Sequence, residues 1–243
     1  MQQTPTVGQS TRNYFHARAL GARKRERTRG LLLDSAIGVF ADKGIEEASI
    51  QEITELAGLA NGTFYNHFTD KDELALASAA AIVLEIARRL DAELDGEECG
   101  IERIVVSSWA FIELALSVPS WTRVVLSQYQ RGPIGGAAAL RYLQADIEQA
   151  VAEGDVTETV DAFLLEQIAA IMMAALQRLL SSDAPDASDP SDSSATERQA
   201  LLQRLTENIL RLLGLTANQA RRRVDRARSH RLIANGIGFD AAV

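Results

Sequence analysis

Residues 49–74, SIQEITELAGLANGTFYNHFTDKDEL, confine this chain to a narrow set of folds. Ser49 and Glu52 have the spacing of a capping box, in which the hydroxyl takes an orphan amide and the glutamate reaches back to the cap residue. Ile50, Ile53, Leu56 and Ala57 then recur at helical spacing and make one face apolar. Gly58 ends that helix by supplying the positive φ of a tight turn. A second helix is expected over Asn61 to Phe68, with Phe64 and Phe68 four apart and facing inward. Its other face carries Asn61, Thr63, Tyr65, Asn66 and His67. Gly62 costs about 1 kcal/mol against alanine in mid-helix, which argues for close backbone approach to something outside, such as a phosphate. Asp70 and Glu73 open a third helix with another carboxylate box. Two short helices with this turn form a helix-turn-helix, which places its second helix in the major groove of DNA.

The rest of the chain reads as helix after helix. Thr28 to Asp42 is amphipathic, with Leu32, Ala36, Ile37 and Phe40 inward, and Gly44 ends it. Asp70 to about Leu94 is long and alanine-rich. Further helices are expected near 101–117, 121–129, 136–153, 159–181 and 195–213, punctuated by Pro119 and Gly132-Pro133. No strand-like alternation persists, so the expected fold class is all-α. Residues 181–197 are rich in serine, aspartate and proline without a basic residue, and are expected to be a disordered acidic loop.

Charge is unevenly spread. Residues 30–75 hold nine carboxylates against Lys43 and Lys71, the wrong sign for a polyanion ligand. Residues 11–29 compensate, with Arg12, Arg18, Arg23, Lys24, Arg25, Arg27 and Arg29 against Glu26. Neutralising phosphates releases counterions and makes binding salt-dependent, so this basic stretch is expected to lie on the DNA backbone or in a flanking minor groove. The net charge of −8 is compatible with that, because local fields govern association. A lone Cys99 excludes an intrachain disulfide framework and a thiolate metal site. The N-terminal stretch has no apolar core of a secretory signal, and no uninterrupted apolar run approaches transmembrane length, so the expected location is the cytoplasm. His16, His67 and His230 are scattered, and no phosphate loop, nucleophile elbow or paired metal-binding histidines occur, so no catalytic residue, metal or cofactor is expected.

The segment Arg29 to Leu74 closely resembles the DNA-binding domain of TetR/AcrR-type transcriptional regulators. Ala36, Phe40, Gly44, Ser49, Ile50, Ile53, Ala57-Gly58, Gly62-Thr63, Tyr65, His67-Phe68, Lys71 and Leu74 fall where that pattern has them. Ala60 departs from it, standing where a serine or threonine cap is usual, so helix entry is expected to rely on Asn61, which itself replaces a usual lysine or arginine. The resemblance implies that Thr63, Tyr65, His67 and Lys71 contact phosphates or bases and that Asn61 and Asn66 face base edges, where asparagine pairs bidentately with adenine. Arg27, Arg29, Ser49 and Gly62 complete the expected DNA-contact set.

The same resemblance implies a small-molecule pocket in the middle helices, with Trp109, Ile112, Trp121, Val125, Tyr129, Tyr142, Phe163 and Met173 as candidate lining residues. Few ionisable groups interrupt these faces, so the expected inducer is mainly apolar or aromatic. The helices on either side of the acidic loop are apolar over most of their circumference, which calls for burial on two sides. A homodimer interface is therefore expected at Phe163, Ile168, Ile171, Met172, Leu176, Leu202, Leu205, Ile209 and Leu213. A twofold dimer suits a palindromic operator in double-stranded DNA.

The expected organisation is a flexible basic arm over 1–27, a helix-turn-helix domain over 28–74, a helical ligand-binding and dimerisation domain over 75–215, and a basic tail over 216–243 that is solvated or pairs within the chain. The expected activity is repression relieved by ligand. The competing reading is a DNA-binding adaptor whose helical domain takes a protein partner instead of an inducer.

Overall fold

The computed structural model describes residues 14–94, 99–132, 134, 137–182 and 193–227, and among them every regular element is a helix. In chain order these are α1 Tyr14–Arg18, α2 Lys24–Glu47, α3 Ile50–Leu56, α4 Asn61–Phe64, α5 Lys71–Glu93, α6 Gly100–Ser117, α7 Pro119–Arg131, α8 Ala137–Ala152, α9 Ala162–Ser182, α10 Ser193–Leu212 and α11 Ala217–Ala227. The fold is all-α, with an N-terminal helix-turn-helix and a larger set of C-terminal helices. The expected acidic loop falls mainly on 183–192, and the outer parts of the arm and tail on 1–13 and 228–243; these lie outside the described residues.

Boundaries differ from expectation where long-range packing extends a helix. α2 starts four residues early, and its regular course is broken at Gly44, whose φ of 84° is not helical. The expected second helix of the helix-turn-helix is regular only over Asn61–Phe64, with single turns carrying the chain on to Phe68.

The chain divides into two compact units. The first takes residues up to Val83 and also recruits 118–132, so α7 is not part of the expected ligand-binding domain. The reason is packing. α7 lies along α2, its Trp121 is 1% exposed, and the indole stacks on Phe15 at 5.5 Å while meeting Tyr14 edge-on at 5.3 Å. At the other end of α7, Arg131 pairs with Glu46 and, at 2.5 Å, with Asp72.

Residues 14–27 are likewise not a flexible arm in this unit. α1 is seated on α2, and the buried Asp34 carboxylate accepts from the amides of Phe15 at 3.0 Å and His16 at 2.8 Å. A side chain from mid-helix thus satisfies amides at the start of another helix, whose first-turn N–H groups have no partners of their own. Burial pushes the Asp34 carboxyl up to about 6, more than the two amide bonds lower it. A raised acid pKa means that the folded state binds more protons than the unfolded one between about pH 4 and 6, so ionisation across that window lowers stability. Relative to an Asp34→Asn variant, the native protein is expected to lose about 2 kcal/mol as pH rises from 4 to 6.5. Denaturant titration at the two pH values checks this; parallel pH dependences would contradict it.

The second unit takes Leu84–Ser117 and the chain from α8 onward. Its centre is α6, which α8, α9, α10 and α11 all contact, with Ile101, Ile104, Val105, Ile112 and Leu114 fully buried. Arg103 on α6 joins three segments: its guanidinium donates to Asp146 at 2.6 Å, to Asp91 at 2.9 Å and to the Leu94 carbonyl at 2.6 Å. Burial still raises the Asp146 carboxyl above its ordinary range, against the pull of Arg103. The expected basic tail is helical through Ala227: Ala220, Val224 and Ala227 are buried, and Arg223 pairs with Asp155 at 2.7 Å.

Over Ala162–Ser181, α9 has the length and composition of a membrane span, with a mean hydropathy of 1.5. A core helix meets the same criterion. Ile168 and Leu176 on α9 are fully buried within the unit, and α10 packs alongside.

Candidate nucleic-acid interface

The helix-turn-helix is built from local signals. Ser49 accepts from the Glu52 amide at 3.2 Å and its own amide donates to the Glu52 carboxylate at 3.0 Å, the reciprocal cap read from the sequence. Lys43 and Ser49 hold the Glu52 carboxyl at about 2. At the other end of α3, the Gly58 amide reaches the Glu55 carbonyl at 3.1 Å and the Leu59 amide reaches the Thr54 carbonyl at 2.9 Å. These two bonds form a Schellman motif, which requires the left-handed backbone that Gly58 adopts at φ 66°. Thr69 to Glu73 repeat the capping logic at the head of α5: the Glu73 amide donates to Asp70 at 2.8 Å, and Glu73 takes the Thr69 amide. Loss of the first cap in Ser49→Ala is expected to cost about 1 kcal/mol in unfolding free energy, read by denaturant titration. No change would mean that the α3 start is held by tertiary packing instead.

α4 rests on two aromatic rings. Phe64 is fully buried and Phe68 is 3% exposed, with their centroids 5.9 Å apart. That leaves Asn61, Gly62, Tyr65 and Asn66 exposed, with Thr63 and His67 half-buried beside them. Tyr65 is 61% exposed, an unusual state for a ring that packing alone has not claimed. A Cβ at Gly62 would meet nothing within 4 Å, so no intramolecular contact demands glycine there.

Three expected contacts are placed otherwise than the residue pattern suggests. Asn61 does not cap α4: its side-chain oxygen takes the Thr54 hydroxyl, while the α4 cap position, Ala60, forms no side-chain bond. Lys71 sends its ammonium to the carbonyls of Glu46 at 2.7 Å and Ala48 at 3.0 Å, so it closes the turn between α2 and α3. Arg27 points back to the Ala22 carbonyl at 2.6 Å.

The positive charge beside α4 comes instead from Arg25 and Arg29. Arg25 donates to the Asn66 carbonyl at 3.4 Å, and the Arg29 guanidinium sits over the Phe68 ring at 5.1 Å. Partial burial, then repulsion from these two arginines, holds the His67 imidazole below its ordinary pKa, so it faces solvent uncharged at neutral pH. From the sequence, Arg25 is expected only as part of the basic stretch over 11–29, not in the contact set around the recognition element. Its four-residue spacing from Arg29 on one helix face is the signal that points to it. A polar tip on an aromatic base, with two guanidinium groups at its flank, offers hydrogen bonds to base edges and charge to phosphates.

The expected ligand-pocket residues fall in both units. Trp121, Val125 and Tyr129 belong to the first unit, whereas Trp109, Ile112, Tyr142, Phe163 and Met173 belong to the second. Trp109, Ile112 and Met173 are buried side chains of that unit, and Phe163 is 65% exposed. None of the eight lines either of two open clefts found among the described residues of the second unit, of about 380 and 540 Å³. The expected dimer residues divide too. Ile168, Leu176, Leu202, Leu205, Ile209 and Leu213 are at most 3% exposed within the single chain. Phe163, Ile171 and Met172 keep surface that a second copy could cover.

Residues 32–78 match the family described as bacterial regulatory proteins, tetR family. The regulator TcmR of Streptomyces glaucescens is 32% identical over 97 residues, which are 40% of this chain and 43% of that protein. SrpR of Pseudomonas putida is 33% identical over 96 residues, 39% of this chain and 40% of that protein. The chain thus covers less than half the length of these two relatives. Among solved structures, RolR in complex with resorcinol is 25% identical with a TM-score of 0.61, covering 84% of this chain and 96% of that one. FadR of Bacillus subtilis in complex with stearoyl-CoA shares the fold, at 16% identity and a TM-score of 0.55 over 72% of this chain and 96% of that one.

Proposed function

We propose that this chain, whose N-terminal helix-turn-helix domain belongs to the tetR family of bacterial regulators, is a homodimeric cytoplasmic repressor that a small ligand releases from a palindromic operator. The observation that carries the DNA-binding part is the exposed tip Asn61–His67, raised on Phe64 and Phe68 and flanked by Arg25 and Arg29. Asn66 and Tyr65 are the side chains for direct readout, since both are exposed and the Asn61 oxygen is already engaged by Thr54. Arg25 and Arg29 neutralise phosphates, and Thr63 adds a hydrogen bond to them, whereas the Ser49 hydroxyl and amide both donate to the Glu52 carboxylate.

Dimerisation through α9 and α10 would cover the exposed Phe163 ring with Ile171 and Met172, and would set the spacing of two half-sites. The ligand would be small and mainly apolar or aromatic; RolR, which shares the fold, binds the aromatic resorcinol. Its effect rests on differential affinity for two states of the protein, because a ligand that binds both states equally shifts nothing.

Selection of bound sequences from a pool of random duplexes tests this reading. The expected result is a palindromic consensus with half-sites about one helical turn apart, or a multiple of it, released by small aromatic compounds. Equal binding to any duplex and to bulk competitor at modest ionic strength would overturn it. A selected operator that no small molecule releases would leave DNA binding standing and remove the inducer.

A further inference from the structure

α1 presents a problem that the DNA-contact surface alone does not answer. It is only five residues long, too short to be stable by itself. The first unit nevertheless devotes three buried positions to it. Gly30 lies in the middle of α2, where glycine is a poor helix former. A Cβ there would stand 2.8 Å from the Phe15 carbonyl and 2.9 Å from both the amide nitrogen and the Cα of His16. These are backbone atoms, so any larger residue would force α1 off its seat. Asp34, one turn further along α2, caps the α1 amides from a buried position. Trp121 receives Phe15 and Tyr14 from above.

The segment after α1 is tied as well. Arg27 holds the Ala22 carbonyl, and the His16 ring nitrogen Nδ1 lies 3.2 Å from the Arg27 carbonyl. The turn over 19–23 therefore has a defined course into α2. That course ends at Arg23 and Lys24, both exposed, and Arg25 one residue later touches the Asn66 carbonyl of the recognition element. An ordered basic turn thus borders the tip that is read as DNA-contacting.

We propose that Gly30, Asp34 and Trp121 are positioning residues for DNA binding: they seat α1 so that Arg23 is held beside the recognition element as a phosphate contact. The inference rests on the DNA-binding reading above. A basic residue on a loose tail must be ordered when it binds, and that entropy is subtracted from its contribution. A residue on a seated turn is already in place. None of the three seat residues needs to touch DNA, since each acts through the course of the chain that it anchors.

The test uses the full chain with an operator selected from random duplexes. Gly30→Ala raises the intrinsic helix propensity of α2 while evicting α1, so stability and seating are separated. It is expected to make the slope of log affinity against log salt shallower by about 0.9 for each phosphate that is no longer neutralised. Phe15→Ala, which removes the ring stacked on Trp121, should act in the same direction and serves as the second variant. Arg23→Gln, which removes one phosphate contact in each half-site of the dimer, should flatten the slope by about 1.8 in the native background and add nothing in the Gly30→Ala background. An unchanged slope in both Gly30→Ala and Phe15→Ala, or full additivity with Arg23→Gln, would overturn the proposal.

Tryptic cleavage after Arg18 and Arg23, followed without DNA, separates this failure from failure of the DNA-binding reading. Faster cleavage in Gly30→Ala with no duplex preference in the native protein would retain the seat and remove its DNA role. Unchanged cleavage would remove the seat itself.

Discussion

Replacing Arg25 and Arg29 together by glutamine removes four cations from the dimer and is expected to weaken operator binding on the order of a thousandfold near 0.1 M salt, with a salt slope shallower by about 3.6. The two side chains share a face of α2, and both border the recognition element, one at the Asn66 carbonyl and the other over the Phe68 ring. Two other cations expected at the interface are committed elsewhere: Lys71 is engaged with the Glu46 and Ala48 carbonyls and Arg27 with the Ala22 carbonyl. Fluorescence anisotropy with an operator duplex at several salt concentrations measures both quantities. The same variant carries an internal control. Removing the two positive charges relieves part of what depresses the His67 pKa, so its imidazole should titrate closer to the ordinary value by NMR, with the effect of burial remaining. A salt slope equal to that of the native protein would show that the phosphates are met elsewhere on the domain.

Trp121→Ala is expected to cost 3–5 kcal/mol, roughly the upper range for a buried aromatic, and the cost should fall on the first unit. The indole is 1% exposed and is enclosed by Tyr14 and Phe15 of α1, so truncation leaves a cavity and removes both ring partners' packing surface. A residue that mainly lines a ligand pocket gives the opposite pattern: a small stability loss and a large change in inducer response. Chemical denaturation followed by far-ultraviolet circular dichroism, which reports the helices of both units, together with inducer titration, distinguishes the two. A loss below about 1 kcal/mol would restore Trp121 as a ligand-contacting residue.

The likeness to RolR and FadR spans most of this chain, whereas sequence similarity to TcmR and SrpR covers only about two-fifths of it. That difference has a physical basis. A helix-turn-helix must present the same geometry to the same groove, so its caps, turn glycine and aromatic base are constrained together. A surrounding helical domain needs only apolar faces of about the right size, which many sequences satisfy.

What the amino-acid sequence settles by itself is local. The Ser49–Glu52 cap, the Gly58 turn, the Asp70–Glu73 start of α5 and the inward pair Phe64 and Phe68 are all legible, because each rests on groups within a few residues of one another. Helix periodicity likewise marks which faces are apolar. It does not say what covers them, and there the tertiary structure decides. Ile168, Leu176, Leu205 and Ile209 are apolar as expected, but their own chain already buries them. Trp121 has the look of a pocket aromatic, but α7 joins the first unit, where the ring closes over a helix from the other end of that unit. Asp34 gives no signal at all, since a carboxylate that caps amides 18 and 19 residues away leaves no local pattern. The exchange of Arg27 for Arg25 at the candidate interface has the same origin: the side chain that faces outward depends on which carbonyl lies within reach of its neighbour, and only the folded chain brings those carbonyls near.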